Sequence, residues 1–131
     1  MAMPKLLVIT PDDVLAMAYR ARLARVGFEV ERRATGREGL FKARHWCPDV
    51  IVLDLTLPGM RGLDVLKSLR DVPWLVRVPA VLLVERAMER DLLEQCLLWG
   101  AHSVLHKDTC SVQEFVAHLQ TVVPSSPTPS S

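Results

Sequence analysis

The run Val50-Ile-Val-Leu-Asp54, followed by Leu-Thr-Leu-Pro58-Gly59-Met-Arg-Gly62, limits the architecture of this chain more than any other segment. Four successive apolar residues, three of them β-branched, end in a single carboxylate. A Pro-Gly turn comes next, and a second glycine opens the following helix. Apolar residues at every position, not at alternate ones, mark a strand buried on both faces, as in a parallel sheet covered by helices. In an open α/β sheet, ligands gather at the carboxyl ends of the strands. Asp54 is therefore expected where such a fold does its chemistry.

The rest of the chain alternates in the same way. Residues 6–9 form a short apolar run. Val14, Leu15, Ala18, Ala21, Leu23 and Val26 then recur near helical spacing until Gly27. Residues 28–32 alternate as a strand, and 35–46 read as a helix with Thr35 and Glu38 at capping-box spacing. Residues 50–53 are the third strand and 62–70 a helix. A fourth strand is expected at 79–84 and a helix at 89–99, ending at Gly100. A short fifth strand follows at 103–106. The last helix spans 111–122, with Ser111 and Glu114 at its start. Five βα units predict a parallel sheet with right-handed crossovers and helices on both faces.

Bulk properties narrow the function. The 131 residues suit one domain with a full core. A net charge of +1 gives no basic footprint for nucleic acid. No apolar run is long enough to span a bilayer. Cys47, Cys96 and Cys110 make an odd count without paired spacing, which fits free thiols in a reducing, cytoplasmic setting. Residues 1–122 are expected to be the domain. Residues 123–131, rich in Pro and Ser, read as a flexible tail or the start of a linker.

The segment around Asp54, with Pro58-Gly59, Gly62 and a lysine after the fifth strand (Lys107), resembles response-regulator receiver domains. The resemblance runs from residue 5 to about residue 122. It implies a flavodoxin-like fold with strand order 2-1-3-4-5 and its site beside strands 1 and 3. It implies phosphoryl acceptance on Asp54, with Lys107 as the cation that reaches the phosphoryl oxygens. A carboxylate can form an aspartyl phosphate where cations offset the incoming charge. A histidine kinase or another signalling protein is the implied partner.

Several positions depart from the family pattern. The two acids that receivers carry at the end of strand 1, and that hold Mg²⁺, fall on Thr10 and Pro11. Thr10-Pro11-Asp12-Asp13 reads as a helix start, with Thr at the N-cap, Pro next and two acids in the first turn. Asp12 and Asp54 then remain as ligands of a weakly held Mg²⁺. The switch hydroxyl at the end of strand 4 is replaced by Val84, and the strand 5 aromatic by Val104. Arg86 is a candidate substitute donor, and Glu85 is expected in solvent. The proline that usually follows the lysine is Asp108, so the Lys107-Asp108 bond is expected to be trans.

His102 and His106 would lie about 13 Å apart along a strand, too far to share a metal. Helix 4 carries Leu92, Leu93, Cys96, Leu97, Leu98 and Trp99, more than one core stripe requires. The surplus is a candidate partner surface, including a homodimer through the helix 4–strand 5–helix 5 face.

The leading expectation is an atypical receiver in two-component signalling, not an enzyme beyond its own phosphoryl transfer. A degenerate receiver that binds partners irrespective of phosphate is the first alternative. A flavodoxin-like cofactor binder is the second, and the lack of a Gly-rich phosphate loop speaks against it.

Overall fold

The computed structural model describes residues 3–85 and 90–123. The expectation for Arg86 and the sequence of the 124–131 tail lie outside the described residues. Five parallel strands run β1 (Lys5–Ile9), β2 (Glu29–Arg33), β3 (Val50–Asp54), β4 (Ala80–Val84) and β5 (Ser103–His106). Their order across the sheet is β2-β1-β3-β4-β5, the flavodoxin-like arrangement. Between and after them come α1 (Asp13–Arg25), α2 (Gly36–Trp46), α3 (Gly62–Arg70), α4 (Arg90–Leu98) and α5 (Val112–Val122). A short 3-10 turn, Pro73–Leu75, lies between α3 and β4.

The strand alternation sorts the core into two layers. Leu7, Ile9, Ile51, Leu53, Leu82 and Val84 face α2, α3 and α4. Leu6, Val8, Val50, Val52, Val81 and Leu83 face α1 and α5, where Tyr19 stacks on Phe115 with ring centroids 3.7 Å apart. Every residue of β3 and β4 is buried, which is why both read as unbroken apolar runs. β1 and β3 pair in parallel, Ile9 beside Leu53, so the ends of the two strands emerge together.

Local signals fix most element ends. The Thr35 side chain accepts the Glu38 amide at the start of α2, and Ser111 with Glu114 forms a full capping box on α5. Gly59 holds φ +79, which the turn after β3 requires. At Gly62 the start of α3 passes so close to β3 that a Cβ would lie 2.9 Å from the Leu55 Cα. That contact is with backbone, so a side chain there would push α3 away from the loop that carries the site.

The start of α1 is a correction. The N-cap is Asp12, not Thr10, and the helix begins at Asp13. Asp12 Oδ1 accepts the Leu15 amide at 3.0 Å. Thr10 still belongs to the sheet edge, its amide donating to the Arg33 carbonyl at 3.0 Å as an extension of the β1–β2 pairing. Its hydroxyl accepts the Asp12 amide, which lies before the helix, and donates to the buried Asp54.

Candidate functional site

The site is built where β1, β3 and β5 end. Asp54 closes β3 and is fully buried. Its Oδ2 accepts Lys107 Nζ at 2.7 Å and Thr10 Oγ1 at 2.7 Å. Its Oδ1 accepts the Thr56 amide at 2.9 Å and the Thr56 hydroxyl at 2.6 Å. Lys107 also donates to Thr56 Oγ1 at 2.9 Å, which closes the ring of contacts. Lys107 is held by the neighbouring strand end: its amide donates to the carbonyl of Val84, the last residue of β4, at 2.9 Å. No cis peptide occurs among the described residues, so Lys107-Asp108 is trans as expected, and the lysine still reaches Asp54.

Electrostatics keep Asp54 ionised. Burial pushes its carboxyl up. The hydrogen bonds from Lys107, then the Thr56 hydroxyl, Thr10 and the Thr56 amide outweigh burial and hold it below its ordinary value. Beneath the site, burial first and then the charges of Cys110, Asp54 and Asp12 push the Tyr19 hydroxyl up to about 12. No second anion forms there near neutral pH. A buried, ionised carboxylate beside an ammonium can act as a nucleophile toward an electrophile whose own charge the ammonium offsets.

The residues singled out from sequence separate into two groups. Asp54 and Lys107 meet. Asp12 lies at the same end of the sheet but commits Oδ1 to the α1 cap. Val84 is buried at the end of β4, Val104 is half-buried and packs on the α2–α3–α4 side, and Glu85 is exposed. Two contributors escaped the sequence reading. Thr56 stands two residues after Asp54, a spacing at which short polar side chains bond locally, and that signal was available. Thr10, which the sequence offers as a helix cap standing where the family has an acid, is the other. His102 does not pair with His106; its Nδ1 lies 3.0 Å from Ser103 Oγ, which also lies 2.7 Å from His118 Nε2.

A sequence model described as response regulator receiver domain matches residues 6–120. The chain belongs to this family. It is a receiver domain of the two-component type. It is 32% identical over 120 residues to the polar-differentiation response regulator DivK of Brucella anthropi, covering 91% of this chain and 96% of that protein. Chemotaxis response regulator CheY4 of Vibrio cholerae superposes with a TM-score of 0.85 at 27% identity, over 92% of this chain and 99% of that one. The receiver domain of sensor histidine kinase PA1611 from Pseudomonas aeruginosa superposes with a TM-score of 0.81 at 26% identity, over 93% and 98% of the two chains. That receiver was crystallised with a magnesium ion coordinated in its active-site cleft. The chain spans 39% of the length of two transcriptional regulators that it also matches. No helix among the described residues is long and apolar enough to cross a membrane.

The residues of this receiver do not fit a firmly held Mg²⁺ as they are arranged. Mg²⁺ takes oxygen ligands and is bound through one or two carboxylates plus phosphate oxygens. Here the one buried carboxylate already accepts two donors on each oxygen, one of them a cation. Among the described residues no three His, Cys, Asp or Glu side chains are grouped to hold a metal.

Proposed function

We propose that this domain accepts a phosphoryl group on Asp54, with Lys107 as the cation that receives the charge brought by the phosphoryl oxygens. The observation that carries this reading is the buried Asp54 carboxylate in 2.7 Å contact with Lys107 at the carboxyl end of β3. In the step, an Asp54 oxygen attacks phosphorus, the bond from phosphorus to the donor breaks, and the donor leaves with that electron pair. A histidine kinase or another signalling protein is the proposed source of the phosphoryl group. The test is intact-mass spectrometry after incubation with a small-molecule phosphodonor. Addition of one phosphoryl group is expected; an unchanged mass under all donor conditions rejects the reading.

Mg²⁺ binding to the unphosphorylated domain is expected to be weak and to involve Asp54 and Asp12. Asp12→Ala should weaken it further, and should also cost about 0.5–2 kcal/mol of stability through the lost α1 cap. Calorimetric titration checks this. A tight site indifferent to Asp12→Ala contradicts it.

One observation favours a second layer to the function. Val84 offers a phosphoryl group no hydroxyl, while Leu97 and Leu98 at the end of α4 are exposed by 53% and 85%; Trp99, the next residue, lies against Lys67 of α3. We propose this α4–β5–α5 face as a partner or homodimer surface whose use depends little on phosphate. A ligand shifts a two-state equilibrium only by its differential contacts with the two states. Partner binding or self-association should therefore change less than about tenfold, or about 1.4 kcal/mol, between untreated and phosphorylated protein. A larger change, measured by sedimentation or calorimetry, would reveal a switch through other residues.

A further inference from the structure

We infer that Thr10 excludes Mg²⁺ from firm coordination at Asp54 and supplies a hydroxyl donor in its place, so that phosphoryl acceptance by Asp54 does not depend on a divalent cation. The inference rests on the reading of Asp54 as the acceptor, and concerns what stands opposite it.

The Thr10 hydroxyl has one proton, and its direction is forced. Thr10 Oγ1 accepts the Asp12 amide at 3.2 Å, so the oxygen's own proton is free to go to Asp54 Oδ2 at 2.7 Å. Thr10 is fully buried. Its backbone is held on both sides. The amide donates to the Arg33 carbonyl, and the carbonyl accepts Arg32 Nε at 3.0 Å and Nη2 at 2.8 Å. Arg32 is fixed in turn by Asp13 at 2.7 Å. The side chain is thus aimed at Asp54 by contacts that have nothing to do with a metal.

The consequence is a filled carboxylate. An ionised carboxylate offers about four lone-pair positions. Thr10 and Lys107 take two on Oδ2, and the Thr56 amide and hydroxyl take two on Oδ1. A dication must displace Lys107, the Thr10 proton or a Thr56 donor, and among the described residues at this end of β1 no second buried anion repays the exchange. Asp54 and Lys107 already sum to zero charge, and the Arg32 guanidinium lies one residue's backbone away. Pro11 brings no ligand side chain. The Thr10 hydroxyl takes a lone-pair position on Oδ2 that a metal would need, and Lys107 supplies the positive charge there.

Two measurements on the full chain test this. In the first, Mg²⁺ is titrated while the Thr56 amide is followed by NMR. Wild type should show at most a weak shift that stays far from saturation at millimolar Mg²⁺, whereas Thr10→Asp, which adds a carboxylate facing Asp54, should saturate there and should melt at a higher temperature with Mg²⁺ than without. Thr10→Asn serves as a second variant, adding an oxygen ligand without a second buried anion. A wild-type shift that saturates at millimolar Mg²⁺, or no gain in either variant, overturns the inference. In the second, phosphoryl addition from a small-molecule donor is timed in EDTA and in Mg²⁺. The wild-type rates should agree within about twofold, while Thr10→Asp should become dependent on Mg²⁺ by about tenfold or more. A wild-type reaction that EDTA abolishes overturns the inference. No phosphoryl addition in either buffer overturns instead the reading of Asp54 as acceptor, and the amide shifts then decide the exclusion of Mg²⁺ alone.

Discussion

Asp54→Asn should abolish phosphoryl addition while leaving a folded domain. The amide is nearly the same size as the carboxylate, so the packing of β3 against β1 and β4 is unchanged. Its oxygen can still accept the Thr56 amide and hydroxyl. Its NH₂ group, however, meets the Lys107 ammonium, which has no lone pair to offer, where the carboxylate oxygen accepted both Lys107 and Thr10. The substitution loses charge-assisted hydrogen bonds worth about 1.5–3 kcal/mol, within the stability of a domain this size. Lys107 is partly open to water, with 18% of its side chain exposed, which limits the cost of leaving it unpaired.

The same variant has a distinctive pH signature. Because the Asp54 carboxyl is held below its ordinary value of about 3.9 in the folded chain, it adds stability above that value. That stability is lost as pH falls through the lower folded value. Wild type should therefore be more stable than Asp54→Asn near neutrality, and the two melting curves should converge in acid. Other carboxylates titrate in both proteins and cancel in the difference. A phosphoryl mass on Asp54→Asn equal to that on wild type would remove Asp54 as acceptor. A stability difference that stays constant into acid would remove the depressed carboxyl.

How far the site was legible follows from what each residue depends on. Val50 to Asp54 announced both a buried strand and its terminal carboxylate, because burial on two faces admits only apolar side chains until the strand ends. Lys107 was legible through the resemblance, as the lysine that receivers carry after the fifth strand; β5 itself, half-buried and ending in the exposed His106, does not announce it. Thr10 was not. The sequence Thr-Pro-Asp-Asp supports helix caps at two positions, and Thr10 and Asp12 are both good capping residues. The choice is made by Asp54, 44 residues away, and by Arg32, 22 residues away. A local reading cannot weigh those contacts. The shared Ser103 between His102 and His118 was hidden likewise, since the two histidines come from a strand entry and a helix that only the crossover brings together. Helix 4 was legible in part: Cys96 is buried and Leu92 and Leu93 pack on the core, leaving Leu97, Leu98 and Trp99 outside.

Val52→Asp should prevent folding altogether. Val52 lies at the centre of the central strand, fully buried, with Val8 beside it on β1 and Val81 beside it on β4. Its side chain points into the layer that holds Tyr19, Leu23, Phe115 and Leu119. Most of its neighbours there are apolar side chains, and the strand backbone on both sides is already hydrogen-bonded in the sheet. The new carboxylate would have to stay charged without a partner or take up a proton at the expense of its ionisation. Either way the cost is several kcal/mol, added to the lost packing of the valine. The total stability of a domain is about 5–15 kcal/mol, so the native state should no longer be populated at ordinary temperature. Asp54, two residues on, tolerates its charge only because Lys107, Thr10 and Thr56 converge on it. The same carboxylate on the same strand is thus a functional group at one position and fatal at the other. Circular dichroism during heating should show no cooperative transition for Val52→Asp. A variant that melts like wild type would mean that Val52 does not face the core, and the register of β3 against β1 and β4 would have to be redrawn.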